Sequence, residues 1–197
     1  TVQPISEIAR LSAEAHARGI AMHLDGARIW NAHVATGTPF TAFGKHFDTI
    51  SVCLSKGLGA PVGSVSLGSK ETIAEARIWR KRYGAGMRQI GLLAAAGHYA
   101  LDHNIDRLAE DHARAKKIAI ALAQHDSSLI NPDLVETNIV GLELSATGIS
   151  AADFAARCKD NGLWISALGP HYARLVTHLD INDAETEEAL AIMKSAL

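Results

Sequence analysis

The chain has 197 residues, 48% hydrophobic and 20% charged, enough for one large domain or two small ones around a real core. Nineteen basic residues against 21 acidic leave a net charge of -2, so nothing points to nucleic acid or to an anionic membrane surface as a partner. No apolar run approaches the roughly 18 residues needed to cross a bilayer, and the first residues lack the pattern of a secretory leader. Cys53 and Cys158 stand far apart and suggest neither a disulfide framework nor a paired-cysteine zinc site, which fits a reducing cytoplasm. The ten histidines show no metal spacing, and no protein metal ligands are expected.

Thr1-Val2-Gln3-Pro4 leads at once into a helix pattern with no initiator methionine, which suggests a piece of a longer chain. Ile5, Ile8, Leu11 and Ala15 keep helical spacing, so a helix is predicted over 4–18, with Gly19 as its stop. Ile20 to Leu24 reads as a buried strand ending at Asp25-Gly26, Asp48 to Leu54 reads as another, and a helical stretch begins between them near Ala27. A charged amphipathic helix is expected from Lys70 to Tyr83, then a mostly apolar, buried helix from Gln89 to Asp102 and a long helix from about Asp106 to Gln124. Asn131-Pro132-Asp133 is a turn cluster opening a differently patterned region. There the sequence predicts a strand at Asn138 to Leu144, a helix from Ser150 to about Asp160 stopped by Gly162, strands at Leu163 to Ser166 and Arg174 to His178, and a helix from Asp183. The alternation predicts an α/β chain: residues 1–105 as part of a mostly parallel sheet with helices on its faces, and residues 106–197 as a small α+β domain.

Ligands gather at the carboxyl ends of strands in such sheets. Asp25 and Lys56 each follow a predicted strand and are 31 positions apart, the length of one strand-helix-strand unit. The spacing therefore places an acid and a lysine at the same sheet edge. A loop lysine in isolation is usually a hydrated surface charge, and Asp-Gly alone is usually just a turn. Within Ser55-Lys56-Gly57-Leu58-Gly59, however, the glycines permit close backbone approach, and burial of the amine would favour imine formation. A carboxylate at the same edge is what pyridoxal phosphate needs to keep its ring nitrogen protonated.

HLDGARIWNA (His23 to Ala32), SVCLSKGLGAPVGS (Ser51 to Ser64), WRKRYGAGMRQIGLLAAAGHYAL (Trp79 to Leu101), TNIV (Thr137 to Val140) and the tail ISALGP...RLVTHLDI (Ile165 to Ile181) resemble the low-specificity L-threonine aldolases over nearly the whole chain. These are pyridoxal-phosphate enzymes of the aspartate-aminotransferase fold. The resemblance implies that the chain is the second half of a fold type I large domain plus the small C-terminal domain. It implies that Lys56 attaches the cofactor, Asp25 pairs with the pyridine nitrogen, and Arg28 and Arg174 receive the substrate carboxylate between the two domains. A basic segment from Arg80 through Lys81 to Arg88 would reach the cofactor of a neighbouring subunit, in a homo-oligomer built as a dimer of dimers with shared sites. The implied chemistry is retro-aldol cleavage of L-threonine or L-allo-threonine to glycine and an aldehyde. A β-eliminating or aminotransferase reaction on the same fold, or an inert fragment, are the alternatives. The family's phosphate-binding turn and ring-stacking histidine belong upstream, so residues 1–197 alone are expected to bind cofactor weakly. His16 and His23 read as structural residues of a helix and a strand, and the general base is left open between an upstream group and His178.

Overall fold

Two units, Val2–Arg107 and Leu108–Leu197, each carry a three-stranded sheet in the computed structural model, which describes residues 1–197. In the first unit α1 (Ile5–Ala17) starts at Pro4, whose fixed φ suits a helix start and whose carbonyl accepts the N–H groups of Glu7 and Ile8. The helix closes with Ile20 N–H donating to the Ala15 carbonyl at 2.9 Å. That bond corrects the sequence expectation of a strand from Ile20: the N–H a strand would use is already taken, and β1 is instead His23–Gly26. Asp25 and Gly26 are thus strand residues and not the turn that follows.

β1 pairs parallel with β2 (Thr49–Cys53), in register from His23↔Thr49 to Gly26↔Val52. Two short helices fill the crossover, α2 (Ile29–Thr36) and α3 (Phe40–Gly44), separated where Gly37 turns into the left-handed region at φ +68°. Strand alternation puts Leu24, Ile50 and Val52 on one sheet face, where they pack with Ile5, Ile8, Ile29, Trp30, Phe40 and Phe43. The sequence did not predict β3 (Ser64–Gly68), which pairs antiparallel with β2 and makes the sheet mixed. All five of its residues are exposed, so it carries no burial pattern to read.

α4 (Lys70–Arg82) is capped by Ser69, whose hydroxyl accepts Thr72 N–H at 3.2 Å, and it buries no residue. α5 (Gly91–His103) corrects a second expectation. Its apolar run reads as a buried helix, yet Leu92 is 83% and Tyr99 63% exposed, and only Gly97 and Ala100 are buried. The small residues make the contact: a Cβ on Gly97 would stand 3.0 Å from Leu54 Cδ1.

In the second unit α6 (Leu108–His125), β4 (Ile139–Glu143), α7 (Ala151–Asp160), β5 (Ser166–Ala167), β6 (Tyr172–Val176) and α8 (Asp183–Ala196) build an antiparallel sheet of order β4-β6-β5 with helices against it. Ile118, Leu122, Val140, Leu142, Phe154, Ala173 and Met193 form its core. Ser150 caps α7 through Asp153 N–H, and Asn182 and Glu185 cap α8 reciprocally at 3.0 and 2.8 Å. β5 is shorter than the predicted Leu163–Ser166 because Leu163 N–H closes α7 on the Cys158 carbonyl at 3.0 Å. Burial raises the Cys158 thiol to about 11. No helix is long and apolar enough to cross a membrane.

Gly26 is where β1 and β2 meet most tightly, since a Cβ there would lie 2.8 Å from the Ser51 carbonyl oxygen. Gly26→Ala is therefore expected to cost about 1–3 kcal/mol. Gly37→Ala, which meets nothing within 4 Å and bears only the left-handed φ, is expected to cost about 1 kcal/mol. Urea unfolding checks the order: a Gly26→Ala midpoint no lower than wild type would contradict the tight seam.

Candidate active site

The candidate site is built on the carboxyl ends of β1 and β2. Asp25 stands opposite Ser51 in the parallel register, and its side chain is exposed. One carboxylate oxygen, Oδ1, accepts the Ala27 N–H at 3.2 Å, a bond that turns the chain out of β1 toward α2. Arg28 holds the N-cap position of α2, and its carbonyl accepts the Ala32 N–H at 3.1 Å.

Three residues past β2, Lys56 opens a turn in which Gly59, at φ +70°, returns its N–H to the Lys56 carbonyl at 2.9 Å. Ala60 N–H reaches the Leu54 carbonyl at 3.0 Å, and Leu54 N–H reaches that of Gly63 at 2.9 Å. Two side chains pin the segment from outside: Trp30 Nε1 donates to the Cys53 carbonyl at 2.8 Å, and Asn104 Nδ2 to that of Leu58 at 2.7 Å. Leu58 is fully buried beneath the turn. The sequence reading had Lys56 buried; the structure leaves it exposed, because the buried member of the turn is Leu58. The backbone is fixed and the amine is accessible, with neither a hydrogen bond nor an ion pair to it.

Asp25, Arg28 and Lys56 thus come from one strand-helix-strand unit at a single sheet edge. Lys81 and Arg88 belong to the same unit of the chain but to α4 and the segment after it. Lys81 folds back over Gly86, where a Cβ would lie 2.9 Å from Lys81 Cδ. Arg88 is exposed and precedes Gln89, whose φ of +53° is left-handed, an uncommon backbone state for a residue other than glycine.

Arg174 lies in the second unit, on β6 opposite Gly141 of β4 and Ser166 of β5. It lines a cavity of about 520 Å³ together with Trp164, Val176, His178 and Glu188. Its Nε is buried and has no hydrogen-bond partner, a donor that a carboxylate could satisfy. His178 is tied to its own loop, with Nδ1 3.4 Å from Asp180 Oδ2. His16 binds Asp48 at 2.9 Å; the Met22 N–H, then His16, hold the Asp48 carboxyl below its ordinary range. No three His, Cys, Asp or Glu side chains are grouped to hold a metal ion.

Sequence reasoning missed the surroundings of Asp25. Its face of the sheet carries His23, Thr49, Ser51, Cys53, Ser64 and Ser66. Period-two alternation within each strand contains this row, but the row becomes visible only once β3 is known and the register is set.

The arrangement suits an aldehyde cofactor with a basic ring nitrogen. It offers an accessible amine, a carboxylate with only one oxygen engaged by the chain, and a guanidinium at the same edge. A family model described as beta-eliminating lyase matches residues 1–145. The probable low-specificity L-threonine aldolase 2 of Arabidopsis thaliana is 40% identical over 95% of this chain and 53% of its own length. The low specificity L-threonine aldolase of Escherichia coli K12 is 40% identical over 91% of this chain and 52% of its own. The chain therefore spans about half the length of the curated relatives it matches. A putative L-allo-threonine aldolase structure from Listeria monocytogenes EGD-E superposes with a TM-score of 0.80 at 22% identity, covering 99% of this chain and 57% of that one. A putative aromatic amino acid beta-eliminating lyase/threonine aldolase from Exiguobacterium sp. 255-15 gives the same TM-score and identity over 100% of this chain and 58% of that one. Both show the fold, and the match of most of the chain to the family model places this chain in the beta-eliminating lyase family.

Proposed function

We propose that this chain belongs to a pyridoxal-phosphate-dependent aldehyde-lyase that cleaves L-threonine or L-allo-threonine to glycine and an aldehyde. The observation that carries the reading is the accessible Lys56 amine and the half-engaged Asp25 carboxylate at the ends of adjacent parallel strands. The family is pyridoxal-phosphate dependent, and relatives named as threonine aldolases match most of the chain at about 40% identity. Lys56 would hold the cofactor through its aldehyde carbon, and Asp25 would hold its ring nitrogen in the protonated form. Bound pyridoxal phosphate supplies an electron sink for the pair released when the substrate's Cα–Cβ bond breaks.

The chain's own residues would bind and orient. Arg28 and Arg174 are proposed as the guanidiniums that grip the substrate carboxylate, whose planar geometry matches two parallel N–H donors. Gripping the carboxylate fixes rotation about the Cα bonds, so the bond to be broken can be held perpendicular to the ring plane. The fixed turn keeps the Lys56 backbone at one place on the sheet edge while leaving the four-carbon stem and its amine free to move.

Lys81 and Arg88 are proposed to serve the cofactor across a subunit contact in a dimer of dimers. Support comes from Trp79, Tyr83, Met87, Ile90, Leu92 and Tyr99, six large apolar side chains left exposed along the same stretch of sequence. The two free cysteines fit a cytoplasmic setting. β-Elimination is the second reading, favoured by the family's description.

Product analysis separates the two. Holoenzyme given L-threonine should yield glycine and acetaldehyde in equal amounts, whereas 2-oxobutyrate and ammonia would establish elimination and overturn the aldolase reading.

Borohydride reduction of the holoenzyme and peptide mapping should place the pyridoxyl group on Lys56. A label on Lys45 or Lys70 would remove the central assignment.

Mixing Arg88→Ala with Lys56→Ala chains should restore part of the activity that each lacks alone, because a hybrid contact can pair one intact Lys56 with one intact Arg88. Strictly additive residual activities in the mixture would count against a shared site.

A further inference from the structure

His178 stands where the chain leaves β6, and its backbone is held from both sides. Thr177 before it is buried and fully engaged: its N–H donates to the Asn138 carbonyl at 3.0 Å, its carbonyl accepts Asn138 Nδ2 at 2.8 Å, and its hydroxyl donates to the Asp111 carbonyl at 2.7 Å. On the far side the Ile181 N–H donates to the His178 carbonyl at 3.0 Å and closes a turn. Thr137-Asn138 and Thr177-His178, distant in the chain, thus meet at one node.

The turn also fixes the ring. The Asp180 N–H donates to His178 Nδ1 at 3.3 Å. Asp180 Oδ2 lies 3.4 Å from the same nitrogen, but it is the amide that meets the geometry of a hydrogen bond. A nitrogen that accepts an N–H carries no proton of its own, so the neutral imidazole has its proton on Nε2. Nε2 is therefore a donor, on a side chain that is 42% accessible. A general base must present a bare nitrogen to the proton it takes, and the bare nitrogen here is already occupied by the backbone.

His178 continues the alternation of β6 on the face of Arg174 and Val176, opposite the buried Ala173, Leu175 and Thr177. Arg174 and His178 line one cavity of about 520 Å³, the size of a small-molecule site. The other charged groups of that cavity are Glu185 and Glu188, and Glu185 is already engaged by the Asn182 N–H at 2.8 Å.

We infer that His178 is a carboxylate-binding residue, donating its Nε2 proton to a substrate carboxylate oxygen beside Arg174, and is not the base that takes the β-hydroxyl proton. The inference rests on the reading of Arg174 as a ligand of that carboxylate. A carboxylate has about four acceptor positions, so the imidazole can join the guanidinium without displacing it. The Asp180 carboxylate has no part in the role, because the main-chain N–H selects the tautomer.

The test uses holoenzyme and compares glycine with L-threonine, since glycine has the carboxylate but no hydroxyl to deprotonate. Glycine affinity is read from the visible absorption of the bound cofactor, and KM and kcat from threonine cleavage. His178→Leu should weaken glycine binding and raise the threonine KM, each by about tenfold, the scale of one hydrogen bond to a charged group, with a smaller change in kcat. His178→Gln, whose amide N–H replaces the Nε2 donor, should recover most of the loss. Asp180→Ala keeps the main-chain N–H and should stay within about twofold of wild type. Unfolding midpoints are measured alongside, and His178→Gln and Asp180→Ala carry the test if His178→Leu does not fold. A kcat falling by about a hundredfold in His178→Gln or Asp180→Ala would make His178 a base polarised by Asp180 and overturn the inference. Unchanged glycine affinity in folded His178→Leu would overturn it as well. Arg174→Gln separates the two readings: if it leaves glycine affinity unchanged, the reading of Arg174 falls and the role of His178 with it, whereas a loss in Arg174→Gln alone removes only His178.

Discussion

The parallel seam between β1 and β2 is the constraint on which the rest of the first unit depends. Because the strands run the same way, their carboxyl ends lie at one edge, and residues far apart in the chain become neighbours there. Gly26 makes the seam close: a Cβ would meet the Ser51 carbonyl at 2.8 Å and Val52 Cγ1 at 3.3 Å. The same closeness sets Asp25 against Ser51 and aligns His23 with Thr49. A one-residue slip of β1 would send Asp25 to the apolar face, among Ile50 and Val52 of β2, where an unpaired carboxylate is costly, and would turn Leu24 out of it.

Placement at that edge combines a rigid backbone with accessible chemistry. The Lys56 turn is tied at both ends by its own backbone and from outside by Trp30 and Asn104, and its hydrophobic anchor is Leu58. None of these contacts uses the lysine amine. The order is therefore carried by carbonyls and one leucine, and the lysine amine is left exposed. Asp25 follows the same principle, with one oxygen spent on the chain turn at Ala27. In both residues the backbone is fixed while side-chain polar atoms stay unengaged.

The second unit solves a different packing problem. Its sheet is antiparallel, with Val140, Leu142, Ala173 and Leu175 facing the helical core and Gly141 and Arg174 alternating with them. Gly141 leaves room for the ring of Tyr172, whose Cζ would stand 2.9 Å from a Cβ there, directly opposite Arg174. Sheet alternation thus holds the Arg174 backbone in a solid core while its buried Nε has no hydrogen-bond partner.

The sequence alone determined the elements whose signals are local. The helices α1, α6, α7 and α8 announce themselves by apolar spacing and by cap residues such as Ser150 and Asn182. The acid and the lysine one crossover apart, and the glycines around Lys56, were legible for the same reason, since strand-helix-strand spacing and turn chemistry are properties of short segments. What lay outside the segment was not. β3 is a strand only because β2 supplies its hydrogen bonds, and α5 is exposed although its composition reads as buried, because burial needs a neighbour and not merely apolar side chains. The start of β1 was misplaced because the N–H of Ile20 was already committed to α1. His23 read as an ordinary strand residue until the register put Thr49 and Ser51 beside it. Pairing and register are relations between segments, so tertiary structure alone decided which polar groups surround Asp25.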